Sequence, residues 1–224
     1  MMFTELNASG YGYNGAFYNA EFEDILSKII ASYRLMLSDN RTFANDENQI
    51  RDVLYLSYLN NDEVRKKIGL QRYYFDRETS EDRTVGRTDI RILTANSFLE
   101  TAAYYIIECK RLDATNPNGT TGLNSKYITN GICRFISKAY SAHYRTNGMI
   151  GFLVQPLNIV QNINAINQLL KNTFKQETYT DRALEYREIV TGFDFSYCST
   201  HSVDEDSIVL YHLMFDFSAH ILQN

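Results

Sequence analysis

The sequence predicts an α/β protein, built as a single domain over residues 1–224, in which a mixed β-sheet is flanked by helices. Segments with apolar residues at helical spacing alternate along the chain with short, nearly continuous apolar runs, as in sheets covered by helices. The composition, 44% hydrophobic and 22% charged, is that of a globular chain. Only two prolines and 11 glycines interrupt 224 residues, so long linkers are not expected.

Three helices are predicted before the first strand. Apolar residues at helical spacing predict the first over 21–37, with Asn19 as its N-cap. The same spacing predicts a second helix over 46–59 and a short third one over 62–68. Gly69 follows the third helix directly and is a typical C-terminal stop.

After these helices the pattern changes to three strands. The first is predicted over 72–78 and the second over 85–93, with a polar turn at 79–83 between them. The third, over 102–112, is an almost continuous apolar run that ends in charged residues. Such a run is typical of a central strand that is covered on both faces.

The second half of the chain continues the alternation of helix and strand. Its predicted elements are a loop at 113–125, a helix at 126–143, a strand at 149–156, a helix at 158–174 capped by Asn158, and strands at 192–199 and 207–218.

Charge and cysteine content narrow the function only a little. The formal net charge of −5 excludes a purely polycationic mode of nucleic-acid binding, but a basic face remains compatible with it. Three scattered cysteines favour neither a disulfide framework nor a zinc site. The N-terminus lacks a secretion-signal pattern, and no apolar run approaches the roughly 18 residues of a membrane helix. A cytoplasmic protein without a membrane partner is therefore expected.

One set of residues has a chemical interpretation: Asp89 on the second predicted strand, with Glu108 and Lys110 near the end of the third. Side chains alternate along a strand, so Glu108 and Lys110 point to the same side, and Asp89 lies across from them if the two strands pair. Two nearby carboxylates favour a hard cation such as Mg²⁺, to which the Cys109 carbonyl adds a third oxygen. Such an ion suits phosphodiester hydrolysis, with Lys110 positioning water or stabilising charge on the phosphate. The competing interpretation is a solvated strand end with a structural ion pair.

The segment GRTDIRIL, with IIECKRL following it, resembles the PD-(D/E)XK nuclease superfamily, which has the restriction-endonuclease-like fold. The resemblance implies an α-β-β-β-α-β core over about 46–156, Asp89 and Glu108 as metal-binding acids, and Lys110 as the catalytic lysine. It also implies Mg²⁺, with Mn²⁺ able to substitute, and a nuclease of restriction, defence or DNA-processing type, acting on DNA rather than RNA. A homodimer is expected if both strands are cut, because that needs two active sites. The proline of the family motif is replaced here by Thr88.

The resemblance further implies an acidic residue on the helix before the first core strand. Glu47 and Glu23 are the candidates, and Glu47 is preferred because its helix is closer to the core strands. The alternative for Glu47 is an acid favoured by the helix dipole.

A polar stripe on the helix predicted over 126–143 lies opposite its apolar face, and it can hold a phosphate backbone. Further cations lie beside the Asp89 and Lys110 segments. The candidate nucleic-acid-binding residues are Lys126, Tyr127, Asn130, Arg134, Arg87 and Arg111. An ordinary solvated face, or salt bridges to the acids, is the competing interpretation of these residues.

The remaining segments match no family pattern. Residues 1–19 are expected to form an N-terminal arm, and 157–224 a family-specific helix and strand hairpin. Two alternatives to a nuclease stay open: a non-catalytic module that keeps the nuclease fold to bind nucleic acid or protein, and a purely structural α/β domain. The distance between the acids and Lys110 discriminates among the three.

Overall fold

The computed structural model describes residues 15–80, 87–137, 140 and 143–222. Side chains are described for all of these residues except 78–80. A seven-stranded sheet runs through this part of the chain, in the order β1-β2-β3-β4-β7-β6-β5. The strands are β1 Tyr74–Ser80, β2 Arg87–Leu93, β3 Tyr104–Leu112, β4 Thr146–Leu153, β5 Thr180–Tyr186, β6 Ser196–Val203 and β7 Asp206–Asp216.

The sheet is mixed, as predicted. Strands β1, β2 and β3 pair antiparallel, whereas β3, β4 and β7 are parallel to one another. Strands β6 and β5 continue from β7 in antiparallel pairing. The carboxyl ends of the three parallel strands therefore meet at one edge, which β2 also reaches with its amino end.

Helices cover both faces of the sheet, so the fold has three layers. They are α1 Gly15–Ser38, α2 Glu47–Val53, α3 Asp62–Ile68, α4 Leu123–Tyr127, α5 Cys133–Ile136, α6 Ile159–Gln168 and α7 Lys175–Thr178. One apolar core packs α1 to α3 against one face, and a second packs α4, α5 and α6 against the other. Both cores contact β3 and β4, which accounts for the almost complete burial of these two strands.

Several helices continue or begin in wide π-helical turns. One turn, Leu54–Leu59, extends α2, a second, Ile128–Ile132, joins α4 to α5, and a third, Leu169–Thr173, extends α6. At Gly131, in the second turn, an added Cβ would lie 2.4 Å from the terminal methyl of Met149. This turn therefore packs closely on β4.

Local signals set most of the predicted helix ends. Asn61 caps α3, which stops at Gly69 in the left-handed conformation with φ of 78°. Asn158 caps α6 by accepting from the backbone N–H of Gln161, as predicted. Asn19 is not a cap, because α1 already includes it and its side chain accepts from Thr146.

Other predicted boundaries are wrong. The helix expected over 126–143 begins at Leu123 and ends at Ile136. Strand β5 is missing from the prediction because Leu184 is its only buried residue, so the segment has no alternating pattern. Residues 1–14 of the expected arm and 81–83 of the expected turn lie outside the described residues, and 15–19 belong to α1. None of the helices in the described ranges combines the length and the apolar composition that a membrane span requires.

Candidate active site

The β2–β3 pairing brings Asp89 beside the end of β3. Ile90 lies opposite Ile107, so Asp89 comes next to Glu108 in the antiparallel register. The Asp89 carboxylate accepts a hydrogen bond of 2.8 Å from the backbone N–H of Cys109. It thereby takes the place of a backbone acceptor at the point where the two strands diverge.

The Lys110 ammonium lies at the centre of a group of oxygen atoms. It is 2.7 Å from Glu108 Oε1, 3.0 Å from Glu47 Oε1 and 3.7 Å from Asp89 Oδ2. It also donates to the Cys109 carbonyl at 2.6 Å. The four groups predicted from the sequence to hold a cation therefore converge on one point, and the positive charge at that point is Lys110 itself.

Glu108 is fully buried, and both of its carboxylate oxygens have partners. Arg134 donates to Oε1 at 2.8 Å, and the Tyr140 hydroxyl donates to Oε2. Burial and, after it, the negative charge of Asp89 raise the pKa of Glu108 to about 7, against the opposing effect of Lys110 and Arg134. Burial alone would lower the pKa of Lys110, but the charges of Glu108, Asp89 and Glu47 outweigh it and hold that pKa above its ordinary value.

Glu47 reaches this cluster from the first turn of α2. Asp46 caps the helix and accepts from the Gln49 backbone N–H, which directs the Glu47 side chain toward β3. Its second oxygen accepts from the backbone N–H of Arg111 at 3.0 Å. The other candidate acid, Glu23, lies elsewhere and pairs with Arg187 at 2.8 Å.

Arg51 is a member of the cluster that sequence reasoning missed. Its side chain is 3% exposed and contacts Asp89 Oδ1 at 2.8 Å and Asp52 at 2.9 Å. Arg51 lies one helical turn after Glu47, and this spacing of four residues indicates that the two side chains project from the same face of α2. The sequence therefore contained a signal for Arg51. Tyr140 was also missed, because its contact with Glu108 depends on the chain path after α5.

A cleft of about 220 Å³ opens beside Lys110, and we call it the basic cleft. It is lined by Glu47, Lys110, Arg111, Leu123, Lys126, Asn130 and Arg134. Lys126 and Asn130 are exposed on its wall. Four cations against one carboxylate make this cleft a suitable place for an anionic ligand.

One predicted nucleic-acid contact is wrong. Tyr127 is 0% exposed, and its hydroxyl is hydrogen-bonded to His212 Nδ1 at 2.8 Å within the core. The helix starts earlier than expected, and Tyr127 faces the sheet rather than the polar side. Arg134 lines the basic cleft while it is bound to Glu108, whereas Arg87 is exposed at the start of β2 outside that lining.

The donor chemistry of the cluster suits a hard divalent cation. Three carboxylates and a backbone carbonyl are the oxygen ligands that Mg²⁺ prefers. Within the described part of the chain, no three His, Cys, Asp or Glu side chains are arranged as they stand to hold a metal. The Lys110 ammonium occupies the space between the carboxylates, so a metal would enter only if this side chain turned toward the basic cleft.

In comparisons with known proteins, no family model matches the chain, and neither curated proteins nor solved structures give a match.

Proposed function

We propose that this protein is a Mg²⁺-dependent nuclease of the PD-(D/E)XK type that hydrolyses phosphodiester bonds, with DNA as the preferred substrate. The observation that carries the proposal is the convergence of Asp89, Glu108, Glu47 and the Cys109 carbonyl around Lys110, next to the basic cleft. A structural ion pair at a strand end needs neither this number of acids nor an adjoining cationic cleft.

The order of the elements supports the same proposal. Helices α2 and α3 are followed by β1, β2 and β3, then by α4 and α5, and then by β4. The acids come from the second and third strands of this series, as the restriction-endonuclease-like arrangement requires. Strands β7, β6 and β5 extend the sheet beyond this core.

Each residue has a proposed role. Asp89, Glu108 and the Cys109 carbonyl hold the ion, with Glu47 as an additional ligand. When bound, Mg²⁺, or Mn²⁺ in its place, polarises a phosphoryl oxygen and lowers the pKa of a water molecule. Lys110 stays charged at neutral pH because the neighbouring carboxylates outweigh the effect of burial on its pKa, so it donates hydrogen bonds to a phosphate oxygen rather than accepting a proton.

The remaining cations of the basic cleft are assigned to the phosphate backbone. Lys126 and Asn130 are exposed there, and Arg111 is held by two 2.6 Å hydrogen bonds to Asn45. Arg134 has a different role, since its guanidinium orients and partly neutralises Glu108. A restriction-type enzyme that cuts both strands would act as a homodimer, so that each strand meets one site.

A cleavage assay tests the proposal. Supercoiled plasmid, linear duplex DNA, single-stranded DNA and RNA are incubated with the protein in MgCl₂, MnCl₂ or EDTA. We expect metal-dependent cleavage that falls at least 100-fold in Asp89→Asn, Glu108→Gln and Lys110→Met, since each removes a group assigned to the ion or the phosphate. Glu23→Gln is the matched control, because it removes an acid that is ion-paired outside the cluster.

The result that overturns the proposal is the absence of cleavage on every substrate with both metals, or equal cleavage by the wild type and the three site variants. Nucleic-acid binding without cleavage would instead support the non-catalytic module. Calorimetric titration with MgCl₂ provides a second readout, in which heat of binding is expected for the wild type and not for Asp89→Asn.

A further inference from the structure

A second cleft, of about 480 Å³, lies between the loop that follows β3 and helix α6. Its lining contains six side-chain amides and no charged residue, and we call it the amide cleft. The amides belong to Asn118, Asn158, Gln161, Asn162, Asn164 and Gln168. A volume in the range of small-ligand pockets, roughly 300–1,000 Å³, makes it large enough for a compact organic group.

Four amides, one at the N-cap of α6 and three within the helix, form a continuous stripe. Asn158, Gln161, Asn164 and Gln168 follow one another at intervals of three or four residues, and all four are exposed. Helix α6 contains no charged residue at all, although the solvated face of a surface helix is ordinarily rich in charge. Among the described residues, the side-chain amides of Asn118, Gln161 and Asn164 have no hydrogen-bond partner in the protein, so they are available to a ligand.

The floor of the amide cleft is held rigidly. Asn124 and Asn162 exchange two side-chain hydrogen bonds, of 2.8 and 3.2 Å, and both residues are buried. Asn124 also donates to the Pro117 carbonyl at 2.9 Å, which fixes the loop against the helix. A cleft whose walls are already connected loses little conformational entropy when a ligand binds.

The amide cleft adjoins the basic cleft. Arg111 lines the basic cleft and Ala114, three residues later, lines the other. Leu123 lines the basic cleft, while its neighbour Asn124 lies beneath the amide cleft. Both clefts are therefore at the edge where β3 and β4 end, on the two sides of the segment 111–124.

The chemistry of the two clefts is complementary. Cations suit phosphates, whereas an uncharged side-chain amide offers one donor and one acceptor side by side, the pattern that matches the edges of nucleobases. Pro117 and Leu157 add apolar surface to the amide cleft, against which the face of a base can lie. A concave site receives a base that is out of its stack, rather than entering a groove of a duplex.

We propose that the amide cleft binds an unpaired base of a nucleic-acid strand whose phosphates pass through the basic cleft. This inference rests on the nucleic-acid binding of the proposed function and adds base recognition to it. Gln161 and Asn164 supply the hydrogen bonds to the base edge, and Asn118 supplies a further amide from the loop.

The test compares strands that carry the same charge with and without bases. Fluorescein-labelled dA20, dT20 and dC20 and an abasic 20-mer are titrated with the full chain in EDTA, so that no metal-dependent cleavage occurs. We expect at least one base-bearing strand to bind about 5-fold or more tightly than the abasic strand, the ratio that a weak bidentate amide contact gives.

Three variants separate the contributions. Gln161→Ala/Asn164→Ala should reduce the preference for bases to less than about 2-fold and leave abasic binding unchanged. Lys126→Ala should weaken binding to all strands alike, as expected for a phosphate contact. Asn172→Ala/Gln176→Ala is the matched control, since it removes two exposed amides outside the cleft. Thermal unfolding of each variant within about 2 °C of the wild type shows that the fold is retained.

Equal affinity of the wild type for abasic and base-bearing strands would overturn the inference, as would a base preference that survives in Gln161→Ala/Asn164→Ala. Tighter binding to duplex than to single strands, with no loss in that variant, would also overturn it. The binding test and the cleavage assay can fail separately. Base-dependent binding in EDTA without Mg²⁺-dependent cleavage would support base recognition by the amide cleft and exclude the proposed nuclease activity.

Discussion

Replacing Lys110 with methionine removes a buried positive charge and keeps most of the side-chain volume. The Lys110 side chain is 10% exposed, and its ammonium lies within 3.0 Å of Glu108, Glu47 and the Cys109 carbonyl. The variant therefore leaves the carboxylates of Glu108, Glu47 and Asp89 without the cation at their centre. At pH 8 in EDTA we expect it to be clearly less stable than the wild type.

The size of the effect follows from the remaining partners. Removing one member of a buried ion pair costs about 3–5 kcal/mol. Arg134 stays 2.8 Å from Glu108, and the Glu47 side chain is 29% exposed, so solvent screens part of the repulsion. The lower end, about 3 kcal/mol, is appropriate, and at about 2–4 °C per kcal/mol it corresponds to a fall of roughly 6–12 °C in Tm.

Mg²⁺ should restore much of this loss, because the space between the carboxylates is then open to another cation. Stabilisation by a ligand at 100 times its Kd is about 2.7 kcal/mol, or roughly 5–11 °C in Tm. The assay is thermal unfolding at pH 8 in EDTA and in MgCl₂ at matched ionic strength. Lys66→Met is the control, since Lys66 forms an exposed ion pair with Glu63 and should shift stability by no more than about 0.5 kcal/mol.

If Lys110→Met unfolds within about 2 °C of the wild type in EDTA, the cluster is not a coupled set of charges. If MgCl₂ raises the Tm of Lys110→Met no more than that of Lys66→Met, the cluster does not accept a divalent cation. Either result would refute the proposed arrangement.

Three further predictions concern titration and binding. Burial and the charge of Asp89 raise the pKa of Glu108 to about 7, so in EDTA the wild type loses stability as pH rises from about 4.5 to 7. Glu108→Gln should lack this slope, so that its free energy of unfolding in urea increases by about 3 kcal/mol relative to the wild type over that interval. Burial lowers the pKa of His201 to about 4, so this residue stabilises the fold above about pH 6.5 and its contribution is lost as pH falls toward 4. His201→Gln should therefore flatten the acid side of the plot of stability against pH. Parallel plots for the variant and the wild type would contradict the lowered pKa. Lys126→Ala should reduce the slope of log affinity against log salt by about 1 for any nucleic acid. Tyr127→Phe should lower the Tm and leave the affinity within about 2-fold. A loss of binding in Tyr127→Phe would show that the buried side chain reaches the ligand.

Elements with a clear local pattern were predictable from the sequence. Helix α3 was predicted with both of its ends, since the apolar spacing stops at Gly69 and the left-handed cap there needs no distant contact. Strand β2 was predicted from its alternation of apolar and polar residues, which reflects burial on one face. Strand β3 was predicted from its continuous apolar run, which reflects burial on both faces. Strand β5 was not, because an edge strand that buries one residue has almost no periodicity.

The candidate site divides in the same way. That Glu108 and Lys110 share one side of β3 follows from the alternation of side chains, and a hairpin between β2 and β3 was enough to bring Asp89 across from them. The spacing along α2 indicates only that Arg51 lies on the same side as Glu47. The contact of Arg51 with Asp89, the contact of Tyr140 with Glu108 and the burial of Tyr127 depend on how helices pack on the sheet.

The sequence by itself determined the class of fold, the two strands that carry the acids, and the chemical character of the site, because periods of 2 and 3.6 residues act over neighbouring positions. Only the tertiary structure decided that the Lys110 ammonium occupies the centre of the carboxylates, that Arg51 is buried against Asp89, and that an amide cleft lies beside the basic one. These features join residues far apart in the chain, such as Arg51 with Asp89, 38 positions apart, and Lys110 with Glu47, 63 apart. Their distances are set by the packing of two helical layers on one sheet.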